Sequence, residues 1–400
     1  MSSKPVVPET RVLAIASHVV YGYVGNTMAA LVMQTLGCDV AALNTVQFSN
    51  HTGYKQFKGT KASAQEIRDL YDGLKQSYLT DFNVLLTGYA PGAEAVDAIG
   101  SIARDLKLKG SMKAGSFFWI LDPVMGDQGK LYVNEDVVPV YRNMLRDADL
   151  ILPNQFEAEL LSETKITSLS TLKAAITKLH STHRIPHIII TSVHLPSTST
   201  EMSIIGSTAT SSFSPRIFKI DVPAIDCFFS GTGDMFAALT VVRLREAITQ
   251  ANLNNTKSWV SPDEVEAVDL PLAKAAEKVL GSMHTVLSKT KEARDRELEA
   301  MSGRMEQEKD SEKRVRLRQT KAAEVRVVRC LGDLREPKCD WKAEAFGEDE
   351  GEGAIVHTNG TGNDAGEREG LGMQHLAGQG QENGHIKKDS VDSTLPHRRA

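Results

Sequence analysis

The stretch Phe228-Phe229-Ser230-Gly231-Thr232-Gly233-Asp234-Met235-Phe236-Ala237-Ala238-Leu239 runs a glycine-rich turn directly into an apolar helix. Unpaired backbone N–H groups and the positive end of the helix dipole then converge on one point, an anion hole suited to a phosphate. Asp234, in the first turn, is placed to accept a proton from an alcohol that attacks the phosphoryl group. Taken in isolation, the same residues serve equally well as a turn and an acidic complement to the dipole. The other candidate residues have to decide between these readings.

Those candidates fall at the ends of apolar runs. Residues 11–16 read as a strand covered on both faces, and the polar stretch from Ser17 to Asn26 follows, before a helix that carries Met28, Leu31, Val32 and Leu36 inward. Open α/β sheets place ligands at such strand ends, so Ser17 is either a ligand contact or a helix cap. A second strand, 39–43, leads into a loop, 44–54, dense in hydrogen-bonding and aromatic side chains, which suits the grip on a small polar ring. Strand 83–87 ends in Gly88-Tyr89 and brings Tyr89 to the same edge as Ser17 and Thr52.

Strand 117–121 delivers Asp122-Pro123-Val124-Met125-Gly126-Asp127, two carboxylates across a turn that suit metal and phosphate-oxygen chemistry. A small flap follows at 128–133. Strand 150–152 then delivers Pro153-Asn154-Gln155-Phe156-Glu157, in which Asn154 and Glu157 either face one magnesium ion, directly or through water, or form an Asn cap with a first-turn Glu. Strand 187–192 ends in the hydroxyls of Thr191 and Ser192, and 197–214 reads as hairpin strands and turns.

The remaining features bound the class of protein. The chain has 400 residues, 41% hydrophobic and 24% charged, which is enough for a substantial core. Its net charge of −5 gives no basic face for nucleic acid or a membrane surface. Cys38, Cys227, Cys330 and Cys339 form no metal pattern, and no signal core or membrane-length run is present. These features lead to the expectation of a soluble cytoplasmic protein, with the nucleus also open. The alternation of strands and helices predicts an α/β fold with a largely parallel, doubly wound sheet. The expected divisions are a disordered leader (1–10), a main domain (11–290), a charged insertion or helix extension (291–320), a region (321–345) returning a strand near Val325 to the sheet, and a disordered tail (346–400).

The ordered set of blocks resembles the pyridoxal kinases of the ribokinase-like superfamily, of fungal type with an extended C-terminus. The blocks are Ser17-His18-Val19 with Gly22-Tyr23-Val24-Gly25-Asn26, Val46-Gln47-Phe48-Ser49-Asn50-His51-Thr52-Gly53-Tyr54, Leu86-Thr87-Gly88-Tyr89, the Asp122 and Asn154 motifs, Ile190-Thr191-Ser192 and Gly231-Thr232-Gly233-Asp234. The resemblance implies a three-layer α/β/α sandwich with a central, mostly parallel sheet. It also implies ATP-dependent phosphorylation of the 5′-hydroxymethyl group of pyridoxal, pyridoxine and pyridoxamine.

By that similarity Ser17, Val24, Thr52 and Tyr89 hold the vitamer and Asp234 is the base. Gly231, Thr232 and Gly233 cradle the phosphoryl group, and Asp122, Asp127, Asn154 and Glu157 surround magnesium and the ATP phosphates. Thr191, Ser192 and Tyr132 contact ATP, and Val222 to Ile225 edge the adenine. The family also implies a monovalent cation, usually K+, and a homodimer. Leu152 stands where many relatives have threonine and offers no hydroxyl to that cation. A hydroxymethylpyrimidine kinase, which typically has cysteine at the place of Asp234, and a non-catalytic vitamer-binding protein are the rival readings.

Overall fold

Central strands can be apolar without a break only when both of their faces are covered, and the computed structural model shows both layers. It describes residues 6–194, 201–307 and 311–347. The strands are β1 (Arg11–Tyr21), β2 (Asp39–Asn50), β3 (Gly59–Lys61), β4 (Val84–Thr87), β5 (Phe118–Leu121), β6 (Gly126–Asp127), β7 (Lys130–Leu131), β8 (Leu150–Ile151), β9 (His187–Val193), β10 (Glu201–Ala209), β11 (Pro215–Pro223) and β12 (Glu344–Ala345). The helices are α1 (Asn26–Thr35), α2 (Ala64–Gln76), α3 (Ala93–Gly110), α4 (Val137–Met144), α5 (Gln155–Ser162), α6 (Leu169–His183), α7 (Thr232–Gln250), α8 (Pro271–Gln307), α9 (Glu312–Ala322) and α10 (Leu331–Arg335).

Ten of the strands form one sheet in the order β12-β11-β10-β9-β8-β5-β4-β1-β2-β3. The centre, from β2 to β9, is parallel. Both edges are antiparallel, with β3 on one side and the β10–β12 meander on the other. Alternate residues feed two cores: Val12, Ala14, Phe118 and Ile120 join the layer of α1, α7 and α8, while Leu13, Ile15, Trp119 and Leu121 join that of α2 to α6. This is the three-layer α/β/α sandwich expected from the resemblance. The chain leaves β1 for β2 on one side and reaches β4 on the other, so β1 is the switch point at which such sheets open a crevice.

Several expectations need correction. Residues 17–21 of the polar stretch and the loop at 44–50 are strand, because β1 and β2 run on together to the pair Tyr21 and Asn50, with a register shift between Ala16 and His18. Each extension supplies the backbone partner that the other lacks, a pairing invisible in either segment alone. The leader is partly packed, since Val7 and Thr10 are buried. Its first five residues and the tail beyond Gly347 lie outside the described residues.

No strand forms near Val325. A 3-10 turn at Val327–Cys330 runs into α10, and Val325, Val327, Cys330 and Leu334 bury against the α8 layer. The strand that does return is β12, on the free edge of β11. The charged segment is helical, as the end of α8 and as α9. Among the described residues no helix is long and apolar enough to cross a membrane.

Two buried histidines tie the sheet to its surroundings. His180 bonds Ile185 O at 2.6 Å and Ser207 Oγ at 2.9 Å, and His187 bonds Thr208 Oγ1 at 2.9 Å and Ser258 O at 2.8 Å. Each ring thus meets one carbonyl, which needs an N–H, and one hydroxyl, which can donate to the other nitrogen. A neutral imidazole satisfies both. Burial accordingly pushes both groups down to about 4 from an ordinary value of 6.5. The unfolded imidazoles bind protons below about pH 6.5 while the native ones do so only near 4, so acid favours unfolding. We predict that stability is highest above pH 6.5 and falls as the pH drops toward 4, by roughly 3 kcal/mol per histidine. Denaturant unfolding across that window checks this, and a flat profile contradicts it.

Candidate active site

The site lies at the carboxyl ends of the central strands. β1 carries Ser17, which is 7% exposed, and the chain turns back on it at Gly25, the residue before α1. There φ is +53°, and a Cβ would meet Ser17 O at 2.0 Å and Oγ at 2.4 Å, so only glycine fits. Asn26 fastens this turn with Nδ2, which donates to Leu43 O and Asn44 Oδ1 at 2.9 Å and to Ala16 O at 3.3 Å. Val24 packs with Val19, Val46, Phe48 and Tyr89 in a small apolar cluster, and Thr45 Oγ1 holds Tyr89 O at 2.7 Å. Ser17, Val24 and Tyr89 thereby gather at the switch-point end of β1, where such sheets open a crevice.

The glycine-rich stretch meets that crevice from the other side. Gly231 precedes α7 with φ +81°, and a Cβ there would meet Tyr23 O at 2.2 Å and Val24 Cγ1 at 3.0 Å. The backbone of the turn therefore lies directly against the Tyr23-Val24 wall. Met235 N bonds Gly231 O at 3.0 Å, which sets the 231–234 turn as the N-terminus of α7, the end of a helix whose amides can receive an anion. Thr52 and Gly53 form a short 3-10 turn after β2. A Cβ on Gly53 would lie 2.8 Å from His51 Nδ1 and 3.3 Å from Ser230 Oγ, which sets this turn beside the anion hole.

Asp122 closes the floor. It is 2% exposed, and burial together with the nearby charge of Asp234 pushes its carboxyl well above the usual range. The two carboxylates therefore feel one another across the site, the situation that a bound cation relieves.

The Asn154 and Glu157 motif has a definite local role. Asn154 Oδ1 caps α5 by accepting Glu157 N at 2.9 Å, and Glu157 Oε2 accepts Asn154 N at 3.0 Å, a reciprocal capping box. Glu157 Oε1 also accepts Met125 N at 2.8 Å and Gly126 N at 3.3 Å, while Asn154 Nδ2 donates to Gly126 O at 2.7 Å. These bonds hold the turn that bears Asp122 and Asp127. Glu157 is fully buried, and among the described residues no three His, Cys, Asp or Glu side chains converge as an ion-binding group. The expected set of Asp122, Asp127, Asn154 and Glu157 is thus a floor and its brace rather than a preformed cage.

Beyond Asp127 the expected flap is a hairpin of β6 and β7. Gln128 and Gly129 have φ of 48° and 76°, the signature of a type I′ turn. Tyr132 follows it, bonded through N to Met125 O at 2.8 Å. Thr191 pairs with Asn154 in an isolated parallel bridge, and Ser192 is held at φ +55°. The Ser192 and Thr232 hydroxyls are buried with no hydrogen-bond partner among the described residues. Such orphaned donors and a strained strand end are features that functional sites retain.

An apolar slot opens behind Thr232. Val222, Ile225 and Thr232, expected from the sequence, line it with Met202, Phe229, Leu280, Met283, His284 and Leu287. The four from α8 follow the spacing i, i+3, i+4, i+7, which in sequence is indistinguishable from a core face. Nothing in the local sequence marks Asn26 as the residue that fastens the Ser17 turn.

Comparison with known proteins agrees with the fold. The phosphomethylpyrimidine kinase family model matches residues 76–263. A Schizosaccharomyces pombe relative, provisionally named a pyridoxal kinase, is 41% identical over 70% of this chain and 85% of its own. The pyridoxal kinase of Ovis aries is 38% identical over 70% of this chain and 86% of its own, so the likeness is not confined to fungi. The structure of pyridoxal kinase from Leishmania donovani in complex with ADP and pyridoxamine superposes with a TM-score of 0.66 at 28% identity, covering 84% of this chain and 99% of that one. Fold, ordered motifs and relatives together place the chain in the pyridoxal kinase family of ribokinase-like proteins.

Proposed function

We propose that this chain uses ATP to phosphorylate the 5′-hydroxymethyl group of pyridoxal, pyridoxine and pyridoxamine. The observation that carries this reading is the position of the Gly231 turn, backed against the Tyr23-Val24 wall on one side and opening through Thr232 into the apolar slot on the other. The adenine occupies the slot, edged by Val222 and Ile225. The amides of Gly231, Thr232 and Gly233 hold the transferring phosphoryl group, and Thr191, Ser192 and Tyr132 contact the other phosphates. Ser17, Val24, Thr52 and Tyr89 orient the vitamer ring with its hydroxymethyl group toward Asp234.

Asp234 takes the hydroxyl proton as the oxygen attacks the terminal phosphorus, and ADP leaves with the electrons of the broken P–O bond. Alignment and charge stabilisation supply most of the rate, since the chemistry asks for little else. Magnesium fits the acidic floor: the opposed Asp122 and Asp234 carboxylates favour a cation, Asp127, Asn154 and Glu157 stand beside it, and magnesium takes most of its ligands from phosphate and water. When bound, it neutralises phosphate charge. Leu152 is buried and apolar, so a K+ site would draw on backbone carbonyls.

Further parts of the reading have narrower support. Exposed Val20 and Tyr21 at the end of β1, with Phe57 in the loop before β3, suit a second copy of the chain and a homodimer. Four free thiols suit a reducing compartment such as the cytoplasm or nucleus. A fungal-type enzyme with an extended C-terminus is supported by the S. pombe identity and by the long segment after residue 290. The hydroxymethylpyrimidine reading has the family match over 76–263 in its favour, against which stands Asp234 in place of cysteine.

Two variants test the site. Asp234→Ala is expected to lower turnover roughly 10²- to 10⁴-fold while ATP still binds, and near-normal turnover in a coupled ADP-release assay refutes the base assignment. Gly231→Ala forces a left-handed residue into Tyr23 O, so we expect lost turnover and a drop of about 1–3 kcal/mol in unfolding free energy. Gly73→Ala, in the C-terminal half of α2 with nothing within 4 Å of the new methyl, is expected to stabilise by about 0.4–1 kcal/mol. Thermal and denaturant unfolding of the pair checks the opposite signs.

A further inference from the structure

Glu324 lies just beyond α9, where the charged C-terminal helices give way to Val325 and Val327 in the core. Its carboxylate points to a distant part of the chain. Oε1 accepts the Tyr54 hydroxyl at 2.8 Å and lies 3.0 Å from His51 Nε2, contacts that span 270 and 273 residues of sequence. The same carboxylate fills the space beside Gly22, where φ is +101° and a Cβ would meet Oε2 at 2.6 Å. One side chain therefore touches both the turn that follows β1 and the turn that follows β2.

The second of these turns has few bonds of its own, apart from Asn50 Nδ2, which donates to His51 O at 3.2 Å and Gln56 O at 2.8 Å across it. It is a single 3-10 turn with two internal bonds, Tyr54 N to His51 O at 3.3 Å and Lys55 N to Thr52 O at 2.7 Å, and it ends on Lys55 at φ +54°. A left-handed lysine persists only where the surroundings over-determine it. His51 is 2% exposed, its ring lies 4.7 Å from that of Tyr54, and its Nδ1 has no hydrogen-bond partner among the described residues. That Nδ1 faces the point beside Gly53 that also borders Ser230 Oγ. His51 thus stands between the Glu324 carboxylate and the anion hole, with Thr52 and Gly53 carried between it and Tyr54.

We propose that Glu324 is a positioning residue for the phosphoryl acceptor: through His51 and Tyr54 it fixes the Thr52–Tyr54 turn against Ser230, and so the C-terminal segment completes the vitamer wall. Hydrogen bonds to a carboxylate are about twice as strong as neutral ones, which suits a clamp on a short strained turn. Its consequence for turnover rests on the vitamer-kinase reading. Its consequence for the turn does not.

The test uses the full chain with Glu324→Ala. Amide hydrogen exchange at Tyr54 and Lys55 should accelerate about tenfold or more, the loss of one charge-assisted bond, while the β9 amides keep their protection. The KM for pyridoxal should rise about tenfold, with the KM for ATP unchanged and kcat changed less. Glu324→Gln, which keeps an acceptor for the Tyr54 hydroxyl, should restore most of the pyridoxal KM.

Unaltered exchange at the turn with an unaltered pyridoxal KM overturns the proposal. So does a parallel rise in both KM values with protection lost throughout the sheet. Should Glu324→Ala fail to fold, Tyr54→Phe must show the same local exchange and the same one-sided KM change, or the proposal fails. A wild-type chain with no vitamer-dependent ADP release overturns the kinase reading alone, and exchange at the turn still decides the role of Glu324.

Discussion

The approach of the Gly231 backbone to Tyr23 O and Val24 is the contact on which the site depends. It brings the N-terminus of α7, and with it Asp234, against the segment that turns back on Ser17. A side chain at 231 would hold the two apart by the width of a methyl group. Gly25 makes the matching approach to Ser17 on the other side of Val24. Two glycines thus let the α7 N-terminus and the Ser17 turn share one wall, and on the proposed reading a phosphoryl group and its acceptor must be this close for transfer.

The floor depends on a different device, a buried carboxylate satisfied by backbone. Glu157 gives its oxygens to three amides, of Met125, Gly126 and Asn154, and so fixes the turn between Asp122 and Asp127. Removing a carboxylate from water is costly unless such donors compensate it. Asp122 is buried near the charge of Asp234, a repulsion that a nearby cation would relieve. The structural and functional readings of the Asn154 and Glu157 pair are therefore compatible: the cap is the brace, and the brace sets the acidic floor.

Much of this was legible in sequence, for physical reasons. Short apolar runs such as Val84–Thr87 and Phe118–Leu121 read as strands covered on both faces, and both are fully buried strands of the central sheet. Where the sequence misled, the determining partner was remote. The β1 and β2 extensions look like loops until each supplies the other's hydrogen bonds. Val325 and Val327 alternate as in a strand, yet the burial offered by α8 and the turn at Val327–Cys330 decide their conformation. The α8 residues of the apolar slot read as ordinary core, and nothing local to Glu324 announces a contact with His51.

The central claim, that the Gly231 turn and Asp234 transfer phosphate to a vitamer hydroxyl, is tested most directly by identifying the product. Incubating the full chain with ATP, magnesium and pyridoxal, and following phosphorus by NMR with mass analysis of the vitamer, should show ADP and pyridoxal 5′-phosphate appearing in equal amounts. ADP without a phosphorylated vitamer, or preferential phosphorylation of hydroxymethylpyrimidine offered in competition, would contradict it.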